Sequence, residues 1–381
     1  MYTPLEDMTD ATRLTRQGKL AEATRLIQRA LQGLRAPKPA TEQAEPRAAN
    51  PAAPMAHVLP EVEDVAFREL PAQPDIARPE PEPAPADTVH RPGAFDSHVF
   101  ISGGKSYNYR LFTPDAAAGT AQGPRPVLVL LHGCKQDAAD FAAGTAMNVL
   151  AQEQQCIVVY PEQLRSANQM GCWNWFEPAH QRRGSGEPEM IASLARQVVE
   201  QHGGDAGRVY VAGLSAGGAM ATIVAQLYPD VFAAVGVHSG LGPGSANDVV
   251  SAFAAMRKAQ RKTGAPRQAA AALPTIVFHG SADKTVHPSN GSQIVQETVA
   301  ALKSGGELKR VLTKSTEGDR AAMRTSYSRD DGTVMLEYWE VAAGPHAWSG
   351  GDAAGSYTDP SGPSASAAML RFFLRHRRPA S

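Results

Sequence analysis

From residue 93 onward the chain alternates between short apolar runs and longer amphipathic segments. Runs at 127–131, 157–160, 209–212, 233–237, 275–278 and 335–341 are dense in Val, Ile, Leu, Ala and aromatic residues. Apolar runs this short, with little polar alternation, predict strands buried on both faces. Segments 140–152, 188–202, 216–228, 289–303 and 365–376 repeat apolar residues at three- and four-residue steps and predict helices. Residues 95–102 and 107–112 fit a leading antiparallel pair. Strand and helix in alternation predict one α/β domain, 93–381, whose mostly parallel sheet is flanked by helices.

The first ninety residues follow a different pattern. Leu14, Leu20, Ala23, Ile27, Ala30, Leu31 and Leu34 recur mostly at helical steps, which predicts a helical segment over 1–35 with a break at Gly18. The stretch ATRLTRQGKLAEATRLIQRAL is similar to a single tetratricopeptide-type helix pair, and one copy cannot stack into a solenoid. Its Arg-rich face (Arg13, Arg16, Arg25, Arg29) suits docking on a granule surface or an acidic partner; a small solvated hairpin is the simpler reading. Prolines then recur from Pro37 to Pro92 with Ala and Glu between them, so 36–92 reads as a linker, extended where it runs PEPEPAP. A short apolar island at 62–70 interrupts it.

Composition narrows the function classes. Hydrophobic residues at 43% and charged residues at 20% are enough for a buried core. The net charge of −1, from 37 basic against 38 acidic residues, argues against a nucleic-acid binder acting through bulk basic charge. No apolar run reaches the roughly 20 residues of a membrane span. Three cysteines show no paired zinc-ligand spacing. Residues 1–7 carry neither a basic region nor an apolar run, so the expected location is cytoplasmic.

The chemistry gathers around Gly213-Leu214-Ser215-Ala216-Gly217. This G-x-S-x-G follows the run RVYVA and opens the segment AGGAMATIVAQLY, the strand–turn–helix setting of a nucleophile elbow. A serine hydroxyl needs a histidine to take its proton and a carboxylate to fix the imidazole. In this setting the chain order is Ser, then Asp or Glu, then His, each after a strand. Asp283 follows TIVFHG and His346 follows MLEYWEV, so both partners fall in order. A loop Asp that caps a helix and a loop His that is merely solvated are the alternatives. His279 and His287 compete for the base, but they precede the last strand and read as support for the Asp283 loop. The sharp turn at Gly133 makes the N–H groups of Cys134 and Ala216 the expected oxyanion donors.

Trp173, Trp175 and Phe176 are candidates for stacking on substrate at a cleft mouth, with core packing as the alternative. Trp348 reads as packing for the histidine loop, and Cys156 as a small buried hydrophobe. Gly103-Gly104-Lys105-Ser106 lacks the first glycine of a phosphate loop, since Val99 stands there. Asn290-Gly291-Ser292 fits a glycosylation sequon without a visible secretory route. The acyl-transfer chemistry calls for no cofactor or metal.

HGCKQDAADFA, VVYPEQ, CWNWFEPAHQRRGSGEP, VYVAGLSAGGAMA, FHGSADKTVHP and HAWSGGDAAGSYTDPSGP resemble the poly(3-hydroxybutyrate) depolymerase family of esterases. That family is an α/β-hydrolase group allied to feruloyl and acetylxylan esterases. The resemblance covers Gly93 to the C-terminus and implies Ser215, Asp283 and His346 as the triad. It also implies a disulfide between Cys134 and Cys172, which match two positions often joined beside the active site. Relatives are often extracellular, a setting that the cytoplasmic expectation does not share. Pro345 stands where the family pattern usually has Gly.

The function read from these residues is a serine carboxylesterase acting on poly- or oligo-(3-hydroxybutyrate)-type esters. Without an export leader or a C-terminal substrate-binding module, soluble esters, oligomers or amorphous granules fit better than crystalline polymer. A feruloyl or acetyl esterase on plant-polysaccharide esters is the alternative within the class. The alternative outside it is a granule-associated or partner-binding protein with a vestigial hydrolase domain.

Overall fold

The computed structural model describes residues 65–67, 93–116, 123–259, 272–315 and 317–378, all within the unit Leu59–Ser381. The predicted helical segment 1–35, and the 36–92 linker apart from 65–67, lie outside the described residues. In chain order the strands are β1 (Val65–Phe67), β2 (Ala94–Ser102), β3 (Lys105–Thr113), β4 (Arg125–Leu131), β5 (Ile157–Pro161), β6 (Gly204–Leu214) and β7 (Ala234–His238). There follow β8 (Thr275–Gly280), β9 (Lys309–Ser315), β10 (Ala322–Ser328), β11 (Val334–Val341), β12 (Trp348–Ser349) and β13 (Thr358–Asp359). The helices are α1 (Ala138–Thr145), α2 (Met147–Glu153), α3 (Gly186–Gln201), α4 (Ala216–Leu227), α5 (Val249–Arg257), α6 (Ser289–Lys303) and α7 (Ala365–Phe373).

β1 to β11 form one sheet in the order β1-β9-β10-β11-β8-β7-β6-β4-β5-β3-β2. Its centre, from β11 through β8, β7, β6 and β4 to β5, is parallel throughout. Antiparallel strands extend it on both sides, β3 and β2 beyond β5, and β10 and β9 beyond β11. The six apolar runs are the six parallel strands. From Val127 to Leu131 every side chain of β4 is fully buried, as a strand covered on both faces requires.

Spatial order and chain order part company beside β4: β5 lies on one side of it and β6 on the other. The connections on the two sides run in opposite directions, which opens a crevice at the carboxyl ends of β4 and β6. Leu131 and Leu214 therefore deliver the chain to one place, and the residues after them face each other. That is the architecture of an α/β hydrolase.

Three elements depart from the pattern read in the sequence. The helix expected over 140–152 is two, because Ala146 takes the left-handed conformation (φ 50°) and closes α1 onto the Ala142 and Ala143 carbonyls. The hairpin β9–β10 and helix α5 carry too little apolar periodicity to stand out. α5 is instead set by a capping box, in which Asp248 accepts from the Ser251 N–H and the Ser251 side chain returns the contact. The GGKS tetrapeptide ends a two-residue β2–β3 hairpin with Gly103 and Gly104 both at positive φ. Asn290 of the sequon is buried, its amide donating to the Ala255 and His287 carbonyls, which leaves no room for a glycan.

Helix α7 seals one face of the sheet. Phe373 is fully buried, stacks on Tyr210 with ring centroids 5.1 Å apart, and packs where Gly236 offers no Cβ. Truncating it to Ala should cost about 3–5 kcal/mol of stability through lost contacts and a cavity. Urea unfolding will read this as a lower midpoint with an unchanged slope, and a midpoint equal to wild type would remove α7 from the core.

Candidate active site

β6 runs into α4 through Ser215, which sits at φ 57° and ψ −117°, a conformation rarely adopted by a residue with a side chain. The flanking glycines explain how it is held. A Cβ on Gly217 would overlap the carbonyl oxygens of Leu131 and His132, and one on Gly213 would overlap Gly217. Strand end, turn and helix start thus meet backbone against backbone. The Ser215 N–H donates to the His238 carbonyl (2.9 Å), and its own carbonyl accepts from Ala219. Ala216 is the first residue of α4, so its N–H lies at the positive end of the helix dipole.

The turn after β4 lies against this elbow: a Cβ on Gly133 would stand 3.7 Å from Ser215 Cβ. Among the described residues, neither the Cys134 nor the Ala216 N–H donates to a backbone carbonyl outside the helices and strands. The turn is fixed from several directions. The His132 ring donates from Nδ1 to the Gly133 carbonyl (2.8 Å) and accepts at Nε2 from the Gln163 N–H (3.2 Å). That pattern is neutral imidazole, and burial, the largest influence on this ring, lowers its pKa. Trp173 donates its indole N–H to the His132 carbonyl (3.1 Å), and Cys134 is joined to Cys172 by a disulfide. The pairing implied by the resemblance is therefore present.

Asp283 and His346 meet directly. His346 donates from Nδ1 to Asp283 Oδ2 (2.7 Å), and Asp283 Oδ1 accepts from the N–H groups of Thr285 and Val286 (2.9 and 2.8 Å). Burial works against the Asp283 charge. The hydrogen bonds and attraction of His279 and His346 outweigh it and hold the carboxyl well below the usual carboxylate range. His279 stands 3.4 Å from Asp283 Oδ2 while bonding the Val286 carbonyl (2.9 Å), so it supports the Asp283 loop. His287 turns away and pairs with Ser289. Backbone bonds from Ser281 to Val341 and from Ala282 to Gly344 lock the Asp283 and His346 loops together.

The ends of β4, β6, β8 and β11 thus carry Cys134, Ser215, Asp283 and His346 to one edge of the sheet. No hydrogen bond joins Ser215 Oγ to the His346 ring among the described residues. The two loops are linked one step back. His238, whose carbonyl holds the Ser215 N–H, accepts at Nε2 from the Ser349 N–H (3.0 Å), three residues beyond His346. Its ring is stacked between Phe278 and Trp348. Trp348 packs the histidine loop as expected from the sequence, with its indole N–H on Ser366. Cys156 is a buried free thiol whose pKa burial pushes up to about 12, which makes it inert.

The aromatic expectation needs correction. Trp173 is fully buried and Trp175 is 5% exposed, both within the main core, so neither forms a cleft mouth. Only Phe176, half-buried and edge-to-face with Trp175 at 5.7 Å, keeps surface to offer. The reason is a buried carboxylate behind them. Glu187 accepts from Asn174 at its backbone and side-chain nitrogens (2.8 and 2.9 Å) and from Gln163, which draws the aromatic loop inward. Gln136, Gln163, Asn174, Glu187 and His238 all carry the site's geometry and escaped the sequence reading. Asn174 between two tryptophans and His238 at the end of the run AVGV gave a signal, as polar residues set against apolar strings, whereas Gln136, Gln163 and Glu187 stand in polar surroundings that gave none.

Fold and elbow define a hydrolase of the α/β class with a serine at its centre. The chain belongs to the family of esterases described as Esterase PHB depolymerase, which matches residues 107–308. It is 38% identical over 182 residues to the poly(3-hydroxyalkanoate) depolymerase C of Paucimonas lemoignei, covering 45% of this chain and 44% of that protein. The chain therefore spans less than half the length of that relative. It is 30% identical over 236 residues to the feruloyl esterase B of Thermothelomyces thermophilus, covering 58% of this chain and 78% of that protein. Among solved structures, an acetyl xylan esterase from Aspergillus awamori superposes with a TM-score of 0.54 at 17% identity, covering 74% of this chain and 100% of that one, a likeness of fold alone. Among the described residues no helix is long and apolar enough to cross a membrane, and no group of three His, Cys, Asp or Glu side chains could hold a metal.

Two consequences can be measured. Gly217→Ala should abolish a soluble, folded product or its esterase activity, because the methyl meets backbone that cannot move; a fully active variant would contradict the contact. The buried histidines set a pH dependence of stability. Burial, aided by His279 and His346, pushes the His238 pKa down to about 3, and burial pushes His376 down to about 4. Burial also lowers His132 and His202. Both states are neutral above the unfolded value of about 6.5, and below it only the unfolded chain binds the proton. Each fully depressed group therefore removes about 1.4 kcal/mol of stability per pH unit between 6.5 and its folded pKa. For His180, burial is outweighed by the Glu187 carboxylate and the pKa is raised, which works in the opposite direction. With four lowered against one raised, urea midpoints should fall steadily from pH 7 to 4.5, and less steeply in His238→Asn. A flat profile would show that these rings take up protons in the folded state.

Proposed function

We propose that this chain hydrolyses ester bonds of poly- or oligo-(3-hydroxybutyrate)-type substrates, with Ser215 as nucleophile, His346 as general base and Asp283 as its orienting carboxylate. The observation that carries the reading is the 2.7 Å bond from His346 Nδ1 to a buried carboxylate, on loops that end at the same sheet edge as the Ser215 elbow. With Nδ1–H committed to Asp283, Nε2 is the unprotonated nitrogen and accepts the Ser215 proton as Oγ attacks the ester carbonyl. The Cys134 and Ala216 N–H groups stabilise the oxyanion. His346 then gives the proton to the leaving hydroxyl of the shortened chain, and water repeats the sequence on the acyl-enzyme. No step needs a metal or cofactor.

The substrate class is supported by the 38% identity to a protein named a poly(3-hydroxyalkanoate) depolymerase. A feruloyl or acetyl esterase is a second reading, favoured by the relative named feruloyl esterase B, which the alignment covers to 78% of its length. The catalytic domain is proposed to span 93–381 together with β1 (65–67), which joins its sheet beside β9 and corrects the expectation that 36–92 is linker throughout. Granule or partner docking is proposed for residues 1–35, which lie outside the described residues. The Cys134–Cys172 bond favours an oxidising compartment over the cytoplasmic location expected from the sequence.

Purified protein should clear amorphous poly(3-hydroxybutyrate) granules, and Ser215→Ala should lower kcat by about 10³-fold or more without loss of folding. Activity retained in Ser215→Ala would reject the mechanism. Faster turnover of methyl ferulate than of hydroxybutyrate oligomers would move the substrate to the second reading.

A further inference from the structure

The oxyanion donor proposed at Cys134 belongs to the peptide unit that begins at Gly133. A trans peptide is planar, so its C=O and N–H point in opposite directions, and whatever fixes the Gly133 carbonyl also aims the Cys134 N–H. Gln136 contacts both polar groups of Gly133, and its side chain acts on the Cys134 N–H by fixing Gly133 at its N–H, one peptide earlier. Its backbone N–H donates to the Gly133 carbonyl (3.3 Å), and its side-chain Oε1 accepts from the Gly133 N–H (2.9 Å). The His132 ring supplies the second donor to the same carbonyl (2.8 Å).

The Gln136 side chain is 2% exposed and its own orientation is determined. Nε2 faces three oxygens: Asp140 Oδ2 (2.9 Å), the Ser356 carbonyl (3.0 Å) and Ser356 Oγ (3.3 Å). Flipping the amide would set oxygen against all three and a donor against the Gly133 N–H. Asp140 in turn accepts from the Ser356 N–H (2.8 Å) and hydroxyl, so Ser356 is itself held in place. The next residue, Tyr357, accepts at its carbonyl from the Trp348 N–H (2.7 Å), two residues beyond His346. One amide thus joins the turn after β4, the first turn of α1 and the loop that follows His346.

We infer that Gln136 is a positioning residue for the oxyanion donor, holding the Cys134 N–H on the developing charge and coupling it to the His346 loop. This rests on the assignment of Ser215 and the Cys134 N–H given above. Gln136 touches no reacting atom, and its contribution is to the aim of a group that does.

The test uses the whole chain, an aryl butyrate and the corresponding thionoester, in which sulfur replaces the carbonyl oxygen. A thiolate-like intermediate is a poorer acceptor for an N–H pair, so damage to the oxyanion site slows the oxygen ester more than its thiono counterpart. Gln136→Leu should lower kcat on the oxygen ester by about 10- to 100-fold with KM nearly unchanged, and should lower the oxygen-to-thiono rate ratio. Gln136→Glu keeps the acceptor for Gly133 but sets a carboxylate against Asp140. It should show the same two effects and recover in part in the double variant Gln136→Glu/Asp140→Asn, where an amide on residue 140 faces the new carboxylate while the Ser356 carbonyl still opposes it. The Glu variant and its rescue decide the question if the Leu variant does not fold. Equal slowing of both esters, or a wild-type kcat in Gln136→Glu, would overturn the inference while a dead Ser215→Ala variant leaves the esterase reading standing. An active Ser215→Ala variant would remove both.

Discussion

Everything at this site depends on one close approach of backbone to backbone. The Gly213 and Gly217 positions let the elbow press against the Leu131 and His132 carbonyls, at separations where any Cβ would collide. That contact sets the distance between the start of α4 and the turn after β4. The proposed pairing of the Cys134 and Ala216 N–H groups relies on these segments being unable to drift apart. Ser215 then accepts an unfavourable φ of 57°, a strain of order 1–3 kcal/mol that the surrounding sheet and helix over-determine. The sheet topology supplies the place and the missing side chains supply the proximity.

Charge is distributed around that point with one sign in mind. Asp283 is the buried anion beside His346, kept ionised by two backbone N–H groups and by His279 and His346. His132 and His238 are neutral, each accepting a backbone N–H at Nε2. Neutral rings behind the turn and the elbow place no second full charge in a low-dielectric region. Within the proposed mechanism an imidazolium formed at His346 would be stabilised by Asp283 and an oxyanion by the start of α4.

The elements and the residues of the proposed chemistry were largely legible in the sequence, and the reason is locality. The elbow is five consecutive residues whose glycines answer a steric demand between neighbours. The six parallel strands are continuous apolar runs because both faces are covered. Ala146 was not legible, since a left-handed residue inside an alanine-rich helix is decided by the packing of Gly144 against Gly355 and Thr358. Trp173 and Trp175 misled for a related reason. An aromatic loop between Asn and Gly residues looks like a surface feature until Glu187, more than ten residues on, turns it inward through hydrogen bonds that composition does not reveal.

That burial bears on how substrate is met. With Trp173 bonded to the His132 carbonyl, the aromatic loop braces the turn after β4, as the Cys134–Cys172 bond does covalently. Gln136 braces it from inside. A turn held from several sides is preorganised, which is what the proposed donor role of its N–H groups requires. Side chains engaged in that task are not available to grip a polymer. Of the three aromatic residues of that loop, Phe176 alone keeps exposed surface.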